Sequence, residues 1–160
     1  MTGIGVTPFG RLFPDQATRE TRVLTVRGFP TLPDDEYGIL EAYCDDPPCY
    51  CRRVMLNVVS RWRQSCVATI SYGFDRDDEL AGPFLDPLNP QSEHAEAILE
   101  LVCDVLADPA YVARLQAHYF QVKGAAADPT FRPPAPVRPA PLSRRPVPPR
   151  RGPRGKRKRR

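Results

Sequence analysis

The stretch Tyr43-Cys44-Asp45-Asp46-Pro47-Pro48-Cys49-Tyr50-Cys51-Arg52-Arg53 constrains this chain more than any other. Three of the five cysteines fall in it, spaced C-x4-C-x-C. Its Asp and Pro residues make it a turn, with a strand leading in and another leading out. The chain reverses direction there and brings three sulfurs to one place. Such a set suits Zn2+, which takes Cys and His in tetrahedral sites and needs four protein donors where it is structural. Pro47 and Pro48 stiffen the loop, and Arg52 and Arg53 offset the charge of three thiolates. The competing reading, cysteines as small hydrophobes, fits poorly because an exposed Asp/Pro turn has little core to fill.

Compartment supports metal over disulfide. The N-terminal residues include Pro8, Phe9, Arg11, Pro14 and Asp15, where a signal peptide needs an uninterrupted apolar run. No apolar stretch approaches the roughly 18 residues of a membrane span. The expected location is the cytoplasm, where thiols stay reduced.

Charge divides the chain. Pro129 to Arg160 holds 12 Lys/Arg, 10 Pro and no acid, leaving 11 Lys/Arg against 19 Asp/Glu in residues 1–128. The net +4 is thus an acidic body joined to a basic arm. Residues 125–160 have no hydrophobic period and cannot offset the entropy of ordering, so they read as a disordered Pro/Arg-rich tail. Residues 1–21 read as a loosely ordered lead-in.

Between them, residues 22–124 read as one α+β domain. Arg22–Arg27, Glu36–Tyr43, Arg53–Ser60 and Cys66–Tyr72 read as strands, the third the clearest, with Val54, Leu56 and Val58 on one side. Short links suggest an antiparallel meander of three to four strands. Phe74–Gln91 is a long acidic, Pro-rich loop. Ser92 opens a helix running to Ala107, and Asp108-Pro109 opens a second that Gly124 stops. This C-terminal helical hairpin packs on the sheet.

Meander geometry narrows the fourth metal ligand. Cys51 opens the third strand and Cys66 the fourth, at opposite ends, which separates them by about 30 Å. Cys66 then reads as a buried thiol, and Cys103, at the edge of the first helix's apolar arc, as core. His94, at the start of that helix, becomes the fourth-ligand candidate beside Cys44, Cys49 and Cys51. His118 is the alternative, although a lone His on an apolar face also suits a satisfied core histidine. Asp45 or Asp46 are further options. If none ligates, an open position leaves room for zinc-bound water and catalysis.

No phosphate loop, H-E-x-x-H pair or G-x-S-x-G elbow is present. His94-Ala95-Glu96 and Pro48-Cys49-Tyr50-Cys51 echo the zinc-deaminase signature in the wrong order and spacing. The acidic loop lacks EF-hand spacing and reads as solvated. In the tail, Arg150, Arg151, Arg154, Lys156, Arg157, Lys158, Arg159 and Arg160 suit nonspecific phosphate contact. A solubilising tail, or drift in GC-rich coding sequence, would give the same composition.

The run from Glu36-Tyr-Gly through Cys44-Asp-Asp-Pro to Cys49-Tyr-Cys-Arg-Arg-Val54 resembles a group of uncharacterised bacterial proteins of the zinc-chelating, SEC-C-associated type. Asp108-Pro-Ala-Tyr-Val-Ala-Arg-Leu115 and His118-Tyr119 add to the likeness, which spans residues 36–123. The resemblance implies metal binding and brings no reaction. The SEC-C knuckle itself, resembling C-P-C-G-S-G-K, has a Pro/Arg-rich end in its place, so no docking role carries over.

Together these readings predict a non-enzymatic zinc-binding module whose tail contacts RNA, DNA or a ribonucleoprotein, with no membrane contact. A protein-interaction adaptor acting through the acidic body is the alternative. A small zinc hydrolase with an open metal site is a third.

Overall fold

The computed structural model describes residues 5–135. Its centre is three antiparallel strands: β3 (Asp35–Cys44), β4 (Arg53–Ser60) and β5 (Ser65–Gly73). They form where the apolar alternation places them. Val54, Leu56, Val58 and Ser60 of β4 are buried on one face, as are Tyr37, Ile39, Glu41 and Tyr43 of β3.

The sheet has six strands rather than three or four. β1 (Val6–Pro8) and β2 (Arg22–Val26) share the edge of β3 that β4 leaves free. β1 takes the Ala42–Cys44 end and β2 the Asp35–Ile39 end. β6 (Phe84–Leu85) pairs with β5 at the other edge. Sharing in this way satisfies the main-chain groups of a ten-residue strand that would otherwise be an open edge.

Residues 6–20 are therefore not a loose lead-in. Between β1 and β2 lie α1 (Phe9–Leu12) and α2 (Pro14–Glu20), and Phe9 is fully packed into the core. A three-residue strand and a one-turn helix are too short to show a hydrophobic period, which is why the segment has no pattern in the sequence.

α3 (Ala95–Leu106) and α4 (Pro109–Ala127) cover the buried face. α3 packs on β5 and β6, and α4 on β3 and β4. Asp108 caps α4, its Oδ1 accepting from the Ala110 N–H at 2.9 Å. Replacing Asp108 with Ala is expected to cost about 1 kcal/mol in a denaturant titration. Gly124 does not stop α4, which continues to Ala127. A helical glycine costs only about 1 kcal/mol relative to Ala, too little to end a helix on its own.

One irregularity redirects a cysteine. Val58 pairs with Ala68 but Val59 pairs with Cys66, so Val67 is an extra, bulged residue. The bulge turns Cys66 away from the face of Ala68 and Ile70. Cys66 is accordingly exposed, not the buried thiol that plain alternation predicts. Cys103 is likewise exposed, on the outer side of α3 rather than in the core.

Candidate metal centre

Cys44 is the last residue of β3 and is buried, while Cys49 and Cys51 are half-buried in the link to β4. Their Sγ atoms all lie within 4.8 Å of one another. A tetrahedral Zn–S bond of about 2.3 Å implies sulfurs about 3.8 Å apart, so with small side-chain adjustments the three could hold one ion.

Several contacts hold the turn in this shape. The Asp45 N–H donates to the Gly5 carbonyl at 3.1 Å, and Thr7 donates to Asp45 Oδ2 at 2.6 Å, tying the turn to β1. A Cβ on Gly5 would lie 2.6 Å from Asp45 Oδ1, so a larger residue there would push that carboxylate aside. The Asp46 carbonyl accepts from the Cys49 N–H at 3.1 Å and from Lys123 Nζ at 2.6 Å, linking the turn to α4. Arg52, at φ 42°, is in the left-handed region and swings the chain into β4.

Cys49 and Cys51 are electrostatically unequal. The Cys51 N–H, hydrogen bonds with the Cys44 and Cys51 thiols, and the Lys123 ammonium hold the Cys49 thiol below its ordinary value. Burial and the neighbouring sulfurs push Cys51 up to about 11. Of these two, Cys49 therefore takes negative charge before Cys51.

His94 does not join this group. It lines a cavity of about 410 Å³ with Asp35, Ser60, Trp62, Arg63 and Ile98. Asp35 and Ser60 sit at the end of the sheet opposite Cys44, a strand length away. The loop before His94 runs back to that far end, where the Ser92 N–H bonds the Val67 carbonyl near the start of β5. Cys66 lies at that same distant end.

His118 is engaged elsewhere. Its Nδ1 lies 2.6 Å from Glu41 Oε2 and its Nε2 2.6 Å from Glu20 Oε2, and its ring stacks on Phe9 with centroids 4.0 Å apart. The Tyr43 hydroxyl lies 2.7 Å from Glu41 Oε2 and 3.1 Å from the Leu115 carbonyl, within donating reach of both. Gln16 donates to Glu20 and accepts from Gln121. This buried network joins α2, β3 and α4, and both nitrogens of the imidazole are taken. It is the satisfied core histidine that an apolar helix stripe suggests. Glu41 carried a signal of its own partner: period-two alternation places it on the buried face with Tyr37, Ile39 and Tyr43, where a carboxylate needs one.

The network predicts a pH profile. Burial alone would lower the His118 pKa, but Glu41 and Glu20 outweigh it and hold it above its ordinary 6.5. Its contribution to stability is full below that value and is lost as pH rises through the raised folded value. The Gln16 hydrogen bond and His118 hold Glu20 below its ordinary 4.5, so its contribution is full above that value and lost on acidification. Maximal stability is expected between these two ordinary values, and His118→Gln should flatten the alkaline decline in pH-dependent urea melts.

The basic residues Arg150, Arg151, Arg154, Lys156, Arg157, Lys158, Arg159 and Arg160 lie outside the described residues, as does most of the Pro/Arg-rich tail. No helix among the described residues is long and apolar enough to cross a membrane. Set against family models, curated proteins and solved structures, the chain matches none.

Proposed function

We propose that this chain is a non-enzymatic metal-binding module in which Cys44, Cys49 and Cys51 hold Zn2+, and whose basic tail contacts nucleic acid or a ribonucleoprotein. The observation that carries the reading is the convergence of three thiols at the junction of β3 and β4. Soft thiolate donors select Zn2+, Cu(I) or iron–sulfur clusters over harder cations. An ion there would tie the end of β3 to the start of β4, and the SEC-C-like resemblance likewise implies metal binding.

Metal content of the freshly reduced full chain tests the first part. About one zinc per chain is expected, kept in His94→Ala and His118→Ala so long as they fold. No bound metal in wild type would end the reading. The second part is tested by deleting residues 129–160. With all eight terminal cations engaged, log affinity for duplex DNA should fall against log salt with a slope of about −7, and the deletion should abolish it. Binding that survives the deletion would move the interface to the body and favour the adaptor reading.

A further inference from the structure

The sequence contains two histidines and five cysteines, and all seven lie among the described residues. Four of them are not in the sulfur cluster. His118 is closed between Glu20 and Glu41. His94 and Cys66 sit at the far end of the sheet. Cys103 is exposed on α3, which packs on β5 and β6 rather than on β3. The carboxylates nearest in sequence do not join the cluster either. Asp45 is turned to Thr7 and Gly5, and Asp46 meets Lys123 and Cys49 through its carbonyl. An ion held by the three thiolates thus has one coordination position that no His or Cys of this chain fills.

Softness decides what that position takes. A divalent ion with three thiolates carries a net charge of −1, and a hydroxide or a thiolate in the fourth place would each bring it to −2, so charge does not choose between them. A sulfur-rich ion favours another polarizable sulfur donor. Cys49 and Cys51 are half-buried, and Tyr50 between them is 88% exposed, so this is the side of the cluster nearest solvent. A cation stands at that side: Lys123 Nζ is held by the Asp46 carbonyl at 2.6 Å and lies 5.6 Å from the centre of the Tyr119 ring.

We propose that the fourth position binds a low-molecular-weight thiol bearing a carboxylate, its sulfur on the metal and its carboxylate toward Lys123. The inference rests on the metal reading above. Binding replaces water with the thiolate, and the thiol proton passes to solvent; no protein bond is made or broken and no electron moves.

The test uses the full chain loaded with Co2+ in the presence of a phosphine reductant, with 3-mercaptopropionate as probe. Sulfur-to-cobalt charge-transfer absorption should rise by about one third as three thiolates become four, and saturate with the metal still on the protein after desalting. The hydroxyl analogue, 3-hydroxypropionate, should leave the spectrum unchanged. 1-Propanethiol, which lacks the carboxylate, should bind about fivefold more weakly than 3-mercaptopropionate, the scale of an exposed charge contact. Propanethiol that binds as tightly as the probe would overturn carboxylate recognition. Absence of cobalt uptake would overturn the metal centre and this inference with it. Cobalt uptake with a spectrum that the thiol does not change would overturn this inference alone. So would a four-thiolate spectrum before thiol is added, which in a dimer would assign the position to a second copy.

Discussion

Replacing His118 with alanine is expected to lower the unfolding free energy by about 3–5 kcal/mol, read from urea midpoints at constant slope. The size of the effect comes from what is left behind. Glu41 is 8% exposed and His118 only 2%, so neither reaches water freely. Removing the imidazole leaves the Glu41 carboxylate with the Tyr43 hydroxyl as its one remaining side-chain partner, and leaves Phe9 without the ring it stacks on. The same substitution releases Glu20, which together with Gln16 and the Arg114 contact to its carbonyl holds α2 against α4. α2 buries no residue fully, so it should become the first segment to exchange amide protons in the variant. A second variant identifies the cause. Pairing His118→Phe with Glu41→Leu removes both buried groups at similar volume and should recover much of the loss. If His118→Ala costs less than about 1 kcal/mol, the carboxylate finds another partner and the network is not what fastens these elements.

The second large effect is on metal. Cys51→Ser should weaken zinc binding by at least about 100-fold, since even outer contacts to a zinc site cost 10- to 100-fold when removed. In wild type, excess zinc at about 1,000 times its dissociation constant should add about 4 kcal/mol of stability; in Cys51→Ser the unfolding midpoint should no longer respond to zinc. Cys66→Ser and Cys103→Ser, at exposed sites outside the cluster, should behave as wild type. Stoichiometric zinc in Cys51→Ser would show that the ion sits elsewhere. The Cys49 thiol, held below its ordinary value, makes Cys49→Ser a second probe of the same site.

How much of this was legible can be judged at particular residues. The alternation of Val54, Leu56 and Val58 marked β4 and its buried face, because period-two burial is written directly in residue order. The caps at Asp108-Pro109 marked the start of α4 for the same local reason. Convergence of Cys44, Cys49 and Cys51 was also legible, since eight residues of Asp/Pro turn leave three sulfurs little room to separate. What failed was non-local. The extra residue at Val67 flips Cys66 to the other face, and nothing in the sequence of β5 announces a bulge. The return of the Phe74–Gln91 loop to the start of β5 put His94 at the wrong end of the sheet for a ligand. There Gln91 hydrogen-bonds both the N–H and the carbonyl of Thr69, a fastening visible only once the strands are assembled.

The sequence by itself determined the class of fold, the turn that gathers the sulfurs and the opposed charges of body and tail. Each of these depends on spacing or composition within a short stretch of chain. The tertiary structure decided which donors meet across the molecule. It placed Glu41 and Glu20 on either side of His118, spending the one imidazole near β3 on a buried ion-pair network. It carried His94 a strand length from the thiols. The cysteine turn is therefore left with three donors of its own, because the fourth depends on distances between elements that residue order does not encode.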